Sequence, residues 1–105
     1  MLDKESAIKT IHAYLDDCKR RNLFFQKVIL FGSVVKGNTN EFSDIDVALA
    51  SNQFSGNPIA DWHMLSPVNI KFSIVEPHPY TTAYFEKGDP FIDEIKRTGF
   101  EITTA

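Results

Sequence analysis

Two aspartates one residue apart, Asp44 and Asp46, have the types and spacing best suited to chemistry in this sequence. They open the run Asp44-Ile45-Asp46-Val47-Ala48-Leu49-Ala50, whose alternation predicts a β-strand over 44–50. Residues two apart on a strand project to one face, with Cα atoms about 6.5 Å apart. Neighbouring carboxylates repel each other, and a cation between them relieves the repulsion. Paired Mg²⁺ ions in phosphoryl-transfer sites stand about 3.5–4 Å apart, a separation such a pair can bridge. Upstream lies Phe31-Gly32-Ser33. Gly32 permits a tight exit from a buried strand and the close approach of another group to the backbone. Ser33 brings a hydroxyl, and the first N–H groups of a helix starting there would face an anion.

Gly32-Ser33, ten intervening residues and Asp44-Ile45-Asp46 together resemble the signature of the DNA polymerase β nucleotidyltransferase superfamily. The wording of Phe31-Gly32-Ser33 and Ser43-Asp44-Ile45-Asp46-Val47 is most similar to its small MNT group, the minimal nucleotidyltransferases. The resemblance spans most of the chain, including a proline-led segment from Asp89 to Gly99. It implies a mixed α/β nucleotidyltransferase fold, with a mixed sheet and helices packed against it. It implies that Asp44 and Asp46 are catalytic and ligate Mg²⁺, as two ions in an active enzyme. Gly32 and Ser33 would bind the triphosphate of ATP or another nucleoside triphosphate. An attacking group would then displace pyrophosphate from the α-phosphorus. The similarity to MNT antitoxins further implies a protein hydroxyl as acceptor and a helical HEPN-type partner, or else a homo-oligomer.

Two positions depart from the family pattern. Active relatives carry a third carboxylate on the third strand in an apolar-Asp-apolar-apolar context. The matching run here is Phe72-Ser73-Ile74-Val75, which puts a neutral hydroxyl, Ser73, where a metal-binding anion is expected. Glu76 falls three residues later, on the alternate face, and could substitute only if the backbone turns at Pro77. Relatives also often place Arg directly after the glycine-serine pair. This chain has Val34, and Lys36 can compensate only in part, as a point charge in place of a planar fork. The departures keep a rival reading open: a catalytically impaired nucleotide-binding or antitoxin module that acts by covering a partner protein.

These residues need a frame. Ile8, Ile11, Leu15 and Cys18 form one stripe of a helix over 3–21, with Asp3 or Ser6 as its cap and Lys19-Arg20-Arg21 at its negative end. Phe24 to Phe31 reads as the first strand, and the unbroken Val28-Ile29-Leu30-Phe31 predicts a position covered on both faces. Asn57-Pro58 starts a short helix to about Leu65, ended by Ser66-Pro67. Val68 to Val75 is expected to be the third strand, broken by Glu76-Pro77-His78-Pro79. Thr82 to Lys87 reads as a helical turn. Asp89, Pro90, Ile92, Ile95 and Gly99 mark the last helix, and Phe100 to Ile102 a short extended tail. The expected product is one domain over residues 1–105.

Composition excludes several classes. With 43% hydrophobic and 24% charged residues, the chain of 105 residues is ordinary for a globular domain. No apolar run approaches the roughly 20 residues of a membrane helix, and the first five residues, Met1 to Glu5, lead into no signal-peptide core. The lone Cys18 forbids an internal disulfide and fits a reducing, cytoplasmic setting. Eleven Lys and Arg against 14 Asp and Glu leave a net charge of −3, which argues against holding extended nucleic acid. His12 and His63 read as a helix flank and a partner-facing residue, and His78 as a loop residue. Cys18 reads as a small buried hydrophobe, and Glu41 as a solvated turn residue. The nine Phe exceed what the core obviously needs, with Phe24, Phe25, Phe42 and Phe54 hardest to place.

Overall fold

A computed structural model describes residues 3–37 and 44–103. Glu41 and Phe42 therefore lie outside the described residues. The elements in chain order are α1 (Lys4–Arg20), β1 (Lys27–Phe31), α2 (Ser33–Lys36), β2 (Ile45–Ser51), α3 (Pro58–Asn69), β3 (Val75–Thr81), α4 (Thr82–Lys87), α5 (Pro90–Thr98) and β4 (Phe100–Glu101). The four strands form one mixed sheet in the order β3-β2-β1-β4. β1 runs antiparallel to β2 and β4, while β2 and β3 are parallel.

Strand alternation divides the sheet into two unlike faces. Val28, Leu30, Ile45, Val47, Leu49 and Val75 face α1 and α3 and pack with Ile11, Tyr14, Cys18, Leu65 and Val68. Ile29, Phe31, Ala48 and Ala50 face the other way, against Phe85, Ile92 and Ile95 of α4 and α5. This two-sided cover explains why Val28 to Phe31 carry no polar alternation. Asp46 shares the α4/α5 face, but at the end of the strand that these helices leave accessible.

α1 is capped as expected, with Asp3 Oδ1 accepting from Ser6 N at 2.8 Å. Its buried line is Ala7, Ile11, Tyr14 and Cys18, with Ile8 and Leu15 on the margin. Two expectations are corrected downstream. α3 does not stop at Ser66-Pro67 but continues to Asn69 with Pro67 inside it. Pro67 cannot donate to the His63 carbonyl one turn back; the Ser66 hydroxyl donates to that oxygen instead, at 3.2 Å. Val68 and Asn69 are consequently helical, and residues 70–74 form the link to β3.

The third strand is therefore Val75–Thr81 and not Val68–Val75. Glu76-Pro77-His78-Pro79, expected to break a strand, is the strand itself. Its place at the edge of the sheet makes this possible, because prolines there give up no ladder hydrogen bond. The start of β3 is tied to the helices. Tyr14 Oη donates to Asn69 Oδ1 at 2.8 Å, and Asn69 Nδ2 donates to the Val75 carbonyl at 2.9 Å.

Glycine is required where β4 meets β1. A Cβ at Gly99 would strike Ile29 Cγ2 and come within 2.8 Å of the Leu30 carbonyl oxygen. Phe25 and Phe54 belong to the core, whereas Phe24 is exposed.

A buried carboxylate fastens the same region. Asp17 on α1 accepts from Arg20 at 3.2 Å, from Arg21 at 3.3 Å and from Lys71, in the link before β3, at 3.3 Å. Burial alone would raise the Asp17 carboxyl, but Arg20, Lys71 and Arg21 outweigh it and hold it below its ordinary value. A lowered folded-state value contributes stability above the unfolded value of about 4, which is lost as pH falls through the folded value. We expect Asp17→Asn to lower the melting temperature at pH 7. The gap from the parent protein should close as pH falls below about 4, as followed by thermal denaturation across pH.

Candidate active site

The site begins where β1 ends. Phe31, the last residue of β1, pairs with Asp46 on β2. Gly32 then turns the chain with φ 80° and ψ −152°, a combination open essentially to glycine alone. The turn lies against the acidic residue: a Cβ on Gly32 would come within 2.6 Å of Asp46 Oδ2. α2 follows at once, with Ser33 as its first residue and Lys36 as its last. The Val35 and Lys36 N–H groups both reach the Gly32 carbonyl, at 3.2 and 3.1 Å. Helix geometry leaves the Ser33 and Val34 N–H groups without an acceptor inside so short a turn. Val34 is buried in the core beneath α1 and α3, so the position where relatives often carry Arg is here a packing position.

The parallel register of β2 and β3 supplies the rest. Asp46 stands opposite Glu76, and His78 is the next residue of β3 on the same face. His78 Nε2 lies 3.4 Å from Asp46 Oδ1. One ligand atom from each of Asp46, Glu76 and His78 falls within 4.8 Å of the others. A hydrogen bond with Asp46 raises the Glu76 carboxyl above its ordinary value, and burial and the negative charge of Asp46 add to this. Asp44, just before β2 and exposed, adds a smaller share of the same repulsion. The donor set fits a divalent cation: it offers oxygen and nitrogen ligands at short range, in a place where negative charge is crowded.

The sequence-derived site residues thus divide. Gly32, Ser33 and Asp46 meet at one end of the sheet. Asp44 is near enough to influence Glu76 but stands outside the converging set, and Lys36 is exposed at the far end of α2. Ser73 is corrected as the occupant of the third carboxylate position, because it lies in the link before β3. Glu76 faces Asp46 without any turn at Pro77, and His78 is a strand residue of the site and not a loop residue. Alternation of Glu and His with proline, followed by Tyr80-Thr81, was the available signal for an edge strand.

The remaining candidates stay apart. Cys18 is buried and burial pushes its thiol up to about 12, the opposite of an activated nucleophile. His63 is exposed on α3. His12 borders a cavity of about 380 Å³ between α1 and the Leu23–Phe25 segment, whose lining includes none of Asp46, Glu76 and His78.

A family model for the nucleotidyltransferase domain matches residues 11–102. The chain belongs to the nucleotidyltransferase domain family. Its fold is also similar to the crystal structure of an inferred nucleotidyltransferase from Sulfolobus solfataricus, with a TM-score of 0.64 at 19% identity over 93% of this chain and 80% of that one. No curated protein matches the sequence significantly. The nucleotidyltransferase fold expected from the motif is therefore the observed one. Among the described residues, no helix is long and apolar enough to cross a membrane.

The contact between Gly32 and Asp46 is open to test. We expect Gly32→Ala to destabilise the protein by about 1–3 kcal/mol, the cost of a side chain in a glycine-only conformation. Urea denaturation measures this. A change near zero would mean that the turn relaxes away from Asp46.

Proposed function

We propose that this nucleotidyltransferase domain is a divalent-cation-dependent enzyme that transfers a nucleoside monophosphate from ATP to an acceptor hydroxyl. The observation that supports this most is Glu76 opposite Asp46, which supplies a carboxylate from the third strand beside the acidic residue that lies against the turn at Gly32. In this reading Asp44, Asp46 and Glu76 hold Mg²⁺. The cation, when bound, neutralises phosphate charge and favours the attacking oxygen. The Ser33 hydroxyl and the first N–H groups of α2 bind the triphosphate, and Lys36 adds a positive charge beyond them. Together they orient the α-phosphorus for in-line displacement of pyrophosphate. The Glu76 carboxylate, opposite Asp46 on the neighbouring strand, is the group that accepts the proton of the attacking hydroxyl in this reading.

The acceptor we propose is a protein hydroxyl on a HEPN-type partner, following the similarity of the 31–47 motif to MNT antitoxins. The rival reading, a non-catalytic module, loses the support of Ser73 and retains only Val34.

Incubation of the chain and candidate acceptors with ATP labelled at the α-phosphate, in Mg²⁺ or Mn²⁺, tests the proposal. We expect transfer that Asp46→Asn, Asp44→Asn and Glu76→Gln each reduce by more than the roughly 10–100-fold typical of losing a group that merely supports a metal ligand. Ser73→Asp should bring no gain, since that residue is not on β3. Absence of transfer in both cations would overturn the reading, and ATP binding kept without transfer would favour the non-catalytic module.

A further inference from the structure

We propose that His78 is a direct metal ligand beside Asp46 and Glu76, and that its nitrogen biases the site toward a first-row transition-metal dication over Mg²⁺. The inference rests on the cation site proposed above and names a ligand that an all-carboxylate site would lack.

Three observations carry it. The first is proximity: His78 Nε2 lies 3.4 Å from Asp46 Oδ1, and the three donors fall within 4.8 Å of one another. The second is that the imidazole is held in place. Its ring packs edge-on against Phe31, with centroids 4.9 Å apart at 63°, and lies 6.2 Å from the Phe91 ring. These apolar walls leave His78 and Asp46 side chains 29% and 26% exposed, so the pair is partly shielded from competing water. The third is the backbone. Pro77 and Pro79 bracket His78 and fix their own φ angles, which limits the freedom of the strand that presents Glu76 and His78.

A prearranged nitrogen donor changes which cation the site prefers. Mg²⁺ favours oxygen ligands, demands a near-ideal octahedron and dehydrates reluctantly. Imidazole suits the later divalent transition metals, whose affinities for a mixed nitrogen and oxygen site rise along the first row. Asp46 and Glu76 would hold either kind of cation, so the discrimination falls on His78.

The test is direct metal binding by the full chain, using Co²⁺ and Mg²⁺ as probes in calorimetry and the visible absorption of bound Co²⁺ as a report on nitrogen ligation. We expect His78→Ala and His78→Asn to weaken Co²⁺ binding by at least about tenfold and to shift its spectrum, while Mg²⁺ affinity stays within about twofold. His78→Asp, which restores an oxygen donor, should narrow the preference for Co²⁺. Using two neutral variants, with melting temperatures checked, separates loss of the ligand from loss of the fold.

Equal losses for both cations would overturn the inference and make His78 a positioning residue acting through Asp46. An unchanged Co²⁺ affinity and spectrum would also overturn it. Nucleotidyl transfer in Mg²⁺ distinguishes the two proposals. Transfer without any dependence of Co²⁺ binding on His78 removes this inference and leaves the function. Co²⁺ binding that depends on His78, without transfer in any cation, supports this inference and removes the function.

Discussion

Parallel pairing of β2 with β3 sets two carboxylates, Asp46 and Glu76, against each other at the edge of a small sheet. Left alone, such a pair is unfavourable, and the raised Glu76 carboxyl expresses that cost. The register persists because apolar contacts on the opposite face hold it. Ile45, Val47 and Val75 are buried with residues of α1 and α3, and a slip by one residue would turn them out of the core. The hydrophobic face of the sheet therefore enforces an electrostatic arrangement on its other face.

Fixing β3 requires more than the sheet. The strand is short of neighbours on its outer side, and two of its seven residues are prolines. Its start is secured by the relay from Tyr14 through Asn69 to the Val75 carbonyl, and by Lys71 reaching Asp17 on α1. Both ties come from residues close to the end of α3. The extension of that helix through Pro67 thus bears on the candidate site: had it ended two residues earlier, Asn69 would not stand where it joins α1 to β3.

The turn after β1 completes the arrangement from the other side. Gly32 has no side chain, so its backbone can lie against Asp46, and α2 begins immediately beside the carboxylate. Aromatic rings close the remaining flank. Phe31 is in edge contact with both His78 and Phe91, which joins the first strand, the edge strand and the last helix around one end of the sheet. Membership in the nucleotidyltransferase domain family accompanies this layout, in which the Gly32 turn and acidic side chains meet across adjacent strands.

Much of this was readable from the order of residues. The two capped helices at the ends of the chain, the buried first strand, the turn at Gly32-Ser33 and the strand bearing Asp46 all follow from local signals: a cap, a proline at a helix start, a glycine, an apolar period. The sequence also placed Asp46 opposite in face to Ile45 and Val47, because alternation is a property of a single strand, whereas Asp44, expected on the same strand, stands just before it. It could not say what lies opposite Asp46. That partner is decided by register between segments thirty residues apart, and by the edge position that lets Glu76-Pro77-His78-Pro79 be a strand at all. Proline read locally is a breaker; only the assembled sheet reveals that the missing N–H groups cost it no ladder bond. The acidic motif was therefore determined by sequence, and the gathering of Glu76 and His78 beside Asp46 was decided by tertiary structure, because side chains converge through packing and not through proximity along the chain.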